Sequence, residues 1–219
     1  MEFRLIYSGP LHAETKRQAR AEEKHKIRKV FHRQLSELWK QHPVLQRQAV
    51  DRLIRYRTPL NMISDPGPGV EQIMSHRSGK PWLEIVADDH ARLGYRFVPL
   101  VRKAGGFTCS LDILFLRRDN PGSLVHTGGD IDNRIKVLLD GLRTPNTSAE
   151  IGGFLPEVDE NPFHCLLEDD SLITALNITT DRLLLPVDES AGERKNDVHL
   201  VIHVRLGDVE ALFAGNRLI

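Results

Sequence analysis

The pattern of apolar and polar positions divides the chain into alternating helices and strands. Residues 2–7 alternate like a strand, and the glycine and proline that follow end it. Residues 14–41 contain no proline or glycine, and apolar residues recur there at intervals of three and four, which predicts one long amphipathic helix. Pro43 ends this helix, and a second helical pattern covers residues 44–56.

The middle of the chain is predicted to be rich in strands. Residues 64–81 are loop-like, whereas 82–86 and 92–101 have the composition of strands. A turn rich in glycine then leads into a strongly apolar strand over residues 107–117, so that the last two strands are predicted to form a hairpin.

The second half of the chain continues the mixture of helices and strands. A flexible segment, 119–129, precedes a helix over 131–143, and 144–164 are predicted to be an extended loop. Two strands follow, over 171–185 and 197–206. Strands with interspersed helices and hairpin connections predict an α+β fold, in which a mixed sheet is covered by helices.

Composition restricts the class of protein. The chain has 219 residues, of which 40% are hydrophobic and 27% charged, as expected for one folded domain. No apolar run is long enough to cross a membrane, and the first residues lack the pattern of a secretory signal. Its two cysteines are too few for a disulfide framework. We therefore expect a cytoplasmic protein with no membrane partner.

Charge is distributed unevenly although the formal net charge is zero. Residues 14–57 contain 13 Lys and Arg against 5 Asp and Glu, whereas residues 150–170 contain seven acidic residues and no Lys or Arg. The basic helix could bind a polyanion such as nucleic acid through its phosphates, which would make binding salt-dependent, although a merely solvated charged face is the alternative. The candidate DNA-binding residues are Lys16, Arg17, Arg20, Lys24, Arg28 and Lys29.

The most informative segment is the helix predicted after the glycine pair at 128–129. Asp132, Lys136 and Asp140 are spaced by four residues and therefore lie along one polar stripe, and Asp130 lies just before the helix. Two carboxylates followed by a lysine are consistent with a site for a divalent cation such as magnesium. The same residues are also consistent with helix capping and with a solvated ladder of ion pairs.

A second acidic group, Glu168 with Asp169 and Asp170, immediately precedes a predicted strand. Together with the motif D-I-D-N-x-x-K-x-x-x-D-G-L of residues 130–142, this arrangement resembles the RusA-like family of Holliday junction resolvases. These are small homodimeric endonucleases that require magnesium and cut four-way DNA junctions. The resemblance covers roughly residues 1–12 and 108–207, about half of the chain.

The resemblance implies roles for individual residues. Asp130, Asp132 and Asp170 would bind Mg²⁺, with Mn²⁺ as a substitute, and together with Lys136 they would form the catalytic set. Asn133, Asp140 and Asp169 would support this set. The chain is longer than typical members of the family. The basic helical region 13–57 and the region from there to about residue 90 have no counterpart in the family, and the loop 144–164 is extended.

The whole chain, residues 1–219, is therefore predicted to be a single RusA-like α+β domain with an N-terminal basic helical extension. The implied function is a magnesium-dependent, structure-selective DNA endonuclease that resolves four-way junctions by phosphodiester hydrolysis. It would act as a homodimer on branched DNA during recombination and repair. The alternatives are a catalytically silent nucleic-acid-binding subunit of the same fold and a nuclease that acts on other branched or foreign DNA.

Overall fold

A computed structural model of the chain describes residues 1–13, 17–57, 73–77, 79–118, 130–184 and 196–208. The predicted flexible segment 119–129 lies outside these residues. The α-helices in the described part are α1 (Arg17–Gln41), α2 (Pro43–Val50), α3 (Trp82–Asp89) and α4 (Asp130–Leu142). The strands are β1 (Glu2–Pro10), β2 (Leu53–Arg57), β3 (Ile73–Arg77), β4 (Ala91–Arg92), β5 (Tyr95–Val101), β6 (Phe107–Arg117), β7 (Phe163–Leu167), β8 (Ile173–Arg182) and β9 (Asp197–Asp208).

The main sheet has four strands in the order β1-β9-β6-β8. Strand β9 is antiparallel to both β1 and β6, whereas β8 is parallel to β6. Strands β4, β5 and β7 form a second sheet, and β2 pairs with β3. The predicted mixed α+β class is confirmed.

The sheet has one face in the core because its central strands alternate. In β6 the side chains of Leu111, Ile113 and Phe115 are buried, and Ile202 and Val204 of β9 are buried at paired positions on the same face. The intervening residues of both strands lie on the opposite and more exposed face. This alternation is the one that the sequence predicts for these two strands.

Helix α1 is part of the same core. Ile27, Phe31, Leu35 and Trp39 are buried along one side of the helix, which packs against β1, β7 and α4. The sequence predicted residues 13–57 as an extension of the domain, whereas α1 contributes these large apolar side chains to the main core. The reason is its spacing of apolar residues, which places one whole side of the helix against the sheet.

Two predicted elements near the middle of the chain were wrong. Residues 82–86 begin helix α3 instead of a strand, and Arg96 of β5 holds that helix through Glu84 and Asp88, whose spacing of four residues suits one helical turn. The second predicted helix ends at Val50, and the residues after it form β2, which pairs with β3 in the predicted loop. Pairing with a distant segment outweighs local helical preference here.

The predicted hairpin of β5 and β6 was also wrong, because the two strands belong to different sheets. Strand β5 pairs in parallel with β7, a strand that the sequence did not reveal. Residues 97–101 are all buried, so β5 is covered on both faces. A short turn connects the two strands in sequence, but the burial of β5 requires partners other than β6.

The predicted extended loop, 144–164, is attached to the core. It contains short 3₁₀ helices at Ser148–Glu150 and Val158–Glu160, and Ile151 and Glu160 are buried. The side chain of Lys29 in α1 forms ion pairs with Glu157 and Glu160. No helix among the described residues is long and apolar enough to cross a membrane.

Candidate functional site

Helix α4 begins at Asp130 and presents its polar side to solvent. Asp132 and Lys136 are exposed and lie one turn apart, whereas Ile135 and Leu138 on the other side are buried in the core. A carboxylate and an ammonium group are therefore neighbours on the surface of a helix whose opposite side is firmly packed. The side chain of Asp130 lies outside the described atoms.

The start of α4 is held at the carboxyl end of β6. The buried Arg134 donates hydrogen bonds to the backbone oxygen of Leu11 and, at 3.1 Å, to the side-chain oxygen of Asn196. Asn196 directly precedes β9, whose first residues pair with the last residues of β6. Asn133, the neighbour of Arg134, is half-buried at this position.

Asp169 and Asp170 lie at the opposite end of the sheet. Strand β8 starts at Ile173, which is opposite Cys109 near the start of β6. The side chain of Asp169 accepts a hydrogen bond from the backbone of Ser171 at 3.0 Å and lies 3.3 Å from the ammonium nitrogen of Lys103. The hydrogen bonds from Ser171, reinforced by Lys103, lower the pKa of Asp169 to about 2.

The far end of α4 meets this end of the sheet. Thr144, just after the helix, donates its backbone N–H to Leu167 at 2.9 Å and its hydroxyl to the backbone oxygen of Glu168 at 2.7 Å. Since a helix rises about 1.5 Å per residue, roughly 15 Å of α4 separates Asp132 from that end. The structure therefore does not bring Asp170 to Asp132 within one chain.

Of the three carboxylates predicted to bind the metal, Asp132 and Asp170 lie at opposite ends of the sheet, and the side chain of Asp130 lies outside the described atoms. Among the residues whose side chains are described, no group of three His, Cys, Asp or Glu is placed to hold a metal ion. Asp130 and Asp132 still lie together in the first turn of α4. Magnesium is commonly bound through one or two carboxylates with water and substrate phosphate as the other ligands, so a site for that cation does not require a third carboxylate.

Asp140 was predicted to support the site, and its surroundings give it a different role. Its carboxylate is buried between Lys24 at 2.6 Å and Arg143 at 2.7 Å, and Arg143 also pairs with Glu150 at 3.1 Å. Burial alone would raise the pKa of Asp140, but Lys24 and Arg143 outweigh burial and lower it. Asp140 thus connects α4 to α1 in its ionised form.

Three of the predicted DNA-binding side chains of α1 are described, and all three are engaged within the protein. Lys24 binds Asp140, and Lys29 binds the 144–164 segment as given above. Arg28 is only 1% exposed and donates to the backbone oxygens of Asp140 at 2.8 Å and Arg143 at 3.3 Å. Arg28 therefore does not lie on a DNA-facing surface, contrary to the prediction, because α1 packs on α4 along this side. Lys16 and the side chains of Arg17 and Arg20 lie outside the described atoms.

Three buried histidines lie where α1 packs on β7, namely His25 and His32 of α1 and His164 of β7. This cluster was not predicted from the sequence. Burial lowers the pKa of His25 to about 4 and that of His164 to about 3, so both are neutral at pH 7. The ring centroids of His32 and Phe163 lie 4.4 Å apart. Nδ1 of His32 accepts a hydrogen bond from the backbone N–H of His164 at 2.8 Å. The seven-residue spacing of His25 and His32, two helical turns, was the signal for this cluster. Its role is packing and hydrogen bonding in the core.

Comparisons with known proteins do not assign a family. No family model matches the chain, and neither a curated protein nor a solved structure does so. The class that the fold defines is a mixed α+β protein, and the likeness to junction resolvases rests on the residues of α4 and of the Asp169-Asp170 pair.

Proposed function

We propose that this chain is a magnesium-dependent, structure-selective endonuclease that acts on branched DNA. The observation that carries the proposal is the start of α4, where Asp132 and Lys136 are exposed one turn apart directly after Asp130. The buried side of the same helix fixes these groups against the sheet. Rigid placement matters because a catalytic group acts well only when its geometry is held before the substrate binds.

Each polar group at the start of α4 has a role in this proposal. Asp130 and Asp132 hold the cation, and magnesium or manganese bound there would supply Lewis-acid activation of water and of the scissile phosphate. Lys136 binds a phosphate oxygen and stabilises its negative charge. Asn133, half-buried beside Arg134, supports the first turn of the helix.

The proposed substrate is a four-way DNA junction, and the proposed assembly is a homodimer. Two symmetric cuts in a junction require two sites, which two copies of the chain supply. The corresponding cellular processes are recombination and repair of DNA in the cytoplasm. The exposed ammonium group of Lys136 favours a phosphate ligand, whereas Lys24, Arg28 and Lys29 of α1 are engaged within the protein.

A second candidate function has one observation in its favour. The separation of Asp170 from Asp132 leaves the start of α4 with two carboxylates instead of three, which favours a catalytically silent nucleic-acid-binding subunit. Such a protein would bind junction DNA equally well with or without the carboxylate of Asp132. A nuclease for other branched or foreign DNA shares the proposed chemistry and differs only in substrate.

The deciding experiment is cleavage of a labelled four-way junction and a matched linear duplex, with magnesium or with EDTA. We expect paired cuts in the junction that require magnesium. Asp132→Asn should reduce cleavage on the order of a hundredfold or more while DNA binding remains, because a group that acts in the transition state is lost. The matched control is Asp159→Asn, which removes the charge of an exposed aspartate in the 144–164 segment. This variant should cleave the junction like the wild type.

Other outcomes assign the other candidates. Cutting of both substrates retains the nuclease and excludes junction selectivity. Binding without cutting in the presence of magnesium or manganese identifies the silent subunit. Undiminished cleavage by Asp132→Asn overturns the proposed site.

A further inference from the structure

Residues 154–160, which we call the strap, lie along one face of α1. Three residues of the helix that contact the strap are spaced by four and three residues and so share one side of the helix, namely His25, Lys29 and His32. The side chains of Leu155 and Val158 in the strap are largely exposed. The strap is therefore attached mainly through its contacts with α1 and not by burying its own aliphatic side chains.

Two of these contacts are a ring stack and a pair of salt bridges. The ring centroids of Phe154 and His25 lie 5.0 Å apart, with the ring planes 13° from parallel. The ammonium nitrogen of Lys29 lies 2.6 Å from Oε1 of Glu157 and 2.9 Å from Oε1 of Glu160. Glu160 is buried, so its negative charge requires this partner.

The third contact, at His32, depends on a neutral ring. Nδ1 of His32 accepts the backbone N–H of His164 in β7 and therefore carries no proton, so Nε2 carries it and donates to the backbone oxygen of Asp159 at 3.0 Å. A protonated imidazole has two donors and no acceptor, so a proton on Nδ1 would face the N–H of His164. The ring must then turn away from β7, and its contact with Asp159 is lost with that movement.

The surroundings of the three buried histidine rings oppose a positive charge. Burial lowers the pKa of His32 as it does those of His25 and His164. Basic residues of α1 act in the same direction, whereas acidic residues of the strap act in the opposite direction. The charged groups that face the rings are Arg28, Lys29, Arg33 and Lys40 of α1 and Glu157, Asp159 and Glu160 of the strap. From β5, the hydroxyl group of Tyr95 lies 3.3 Å from Nε2 of His25.

We propose that acid releases the strap: protonation of His32 breaks its hydrogen bond to β7 and detaches residues 154–160 from α1, while the main sheet and α4 stay folded. Release of Phe154 opens the ring of His25 to water, so this ring also takes up a proton. The contact of α1 with α4 persists, because Lys24 and Arg143 outweigh burial and lower the pKa of Asp140, which keeps that carboxylate ionised in acid. The release is independent of any nuclease activity.

The direction of the pH dependence follows from His25 in the two states. Its ring titrates near the ordinary pKa of 6.5 when the strap is released and at about 4 when the strap is docked. Docking is therefore at full strength above about pH 6.5 and weakens as the pH falls toward 4. At tenfold per pH unit, His25 alone weakens docking roughly 300-fold over this interval. His32 adds to this effect, since its pKa is lowered in the same direction.

Hydrogen exchange of the full-length wild type, followed by mass spectrometry between pH 7 and pH 4, tests the release. After correction for the intrinsic effect of pH on exchange, peptides covering the strap should lose protection by about tenfold or more, while peptides of β6 and α4 keep theirs. Equal protection of the strap at both pH values overturns the proposal. Loss of protection in the strap and in β6 at the same pH also overturns it, because that result is global unfolding.

A neutral side chain in place of His32 should shift the acid response. His32→Gln offers an amide donor to the strap and an amide oxygen to β7 but takes up no proton, so the same loss of protection should need a pH about one unit lower. His12→Gln is the matched control, because it removes an exposed histidine and should behave like the wild type. Thermal unfolding at pH 7 shows that each variant is folded. An unchanged acid response in folded His32→Gln contradicts the proposal.

The imidazole nitrogens test the arrangement without any substitution. Long-range ¹H–¹⁵N NMR of the wild type at pH 7 should show a neutral His32 ring with its proton on Nε2, and a doubly protonated ring once the strap peptides have lost protection. A proton on Nδ1 at pH 7 would exclude the hydrogen bond with His164. If His32 stayed neutral at a pH where the strap exchanges freely, another group would cause the release and the proposal would fail.

Discussion

The two ends of helix α4 place similar carboxylates in opposite surroundings. Asp132, near the start, is exposed beside Lys136, whereas Asp140, two turns later, is buried between Lys24 and Arg143. Both residues belong to one polar stripe in the sequence. An exposed carboxylate is available to a cation and a substrate, while a buried and fully paired one fixes the helix to its neighbour.

The approach of α1 causes this difference. At the end of α4, Gly141 lies so close to α1 that an added Cβ atom would come within 2.5 Å of the side chain of Ile27. Lys24, one turn before Ile27, is thereby brought to Asp140. No described residue of α1 pairs with Asp132, so the start of α4 remains exposed to solvent. The ion pair and the helix contact at one end hold the other end in place.

The largest effect is expected from Asp140→Ala. The substitution leaves Lys24 without its counter-charge and Arg143 with Glu150 alone, which should lower the free energy of unfolding by about 3–5 kcal/mol. Urea denaturation followed by circular dichroism measures this loss. Replacing Lys24 by methionine in the same chain should recover part of the stability, since the charge that lost its partner is then removed. A loss below about 1 kcal/mol would show that the ion pair does not hold the helices.

A smaller loss is expected from Gly141→Ala. The added methyl group must displace Ile27, and overpacking of this kind costs about 1–3 kcal/mol. The control is Gly79→Ala, because nothing lies within 4 Å of a Cβ atom at that position. Thermal unfolding of the two variants gives the comparison. If Gly141→Ala were as stable as the control, the close contact of α1 and α4 would be disproved.

The smallest effect on stability is expected from Asp132→Ala. An exposed residue without a described ion pair should change the free energy of unfolding by no more than about 0.5 kcal/mol. The same urea titration measures it, with Asp140→Ala as the contrasting variant. A loss of 2 kcal/mol or more at Asp132 would indicate a structural role and would remove the distinction between the two ends.

Elements whose residues follow a regular burial pattern could be predicted from the sequence. Helix α1, strands β6 and β9 and helix α4 were located to within a few residues, because each has one side in the core and repeats that side with its own period. Strand β7 and helix α3 could not be predicted in this way. Their formation depends on partners outside the segment itself. Strand β7 requires β5, which is distant in sequence, and α3 is held by Arg96 of the nearby strand β5.

The candidate site could be predicted in its residues but not in its arrangement. Spacing identified the carboxylates and the lysine of α4 and the acidic pair before β8. Spacing did not reveal that Asp170 lies at the other end of the sheet from Asp132. The distance between these two residues depends on the direction in which α4 runs between β6 and β8. Spacing also did not reveal the burial of Arg28, since a helix has a buried side only relative to what packs on it.

By itself, the sequence determined the mixed α+β class, the long amphipathic helix, the alternating strands of the main sheet and the residue types that open α4. These properties are local, since they follow from the period of apolar residues and the chemistry of single side chains. Tertiary structure alone decided which strands pair and which charges are buried. Each of these depends on the distance between segments far apart in the chain, and only the packed core sets that distance.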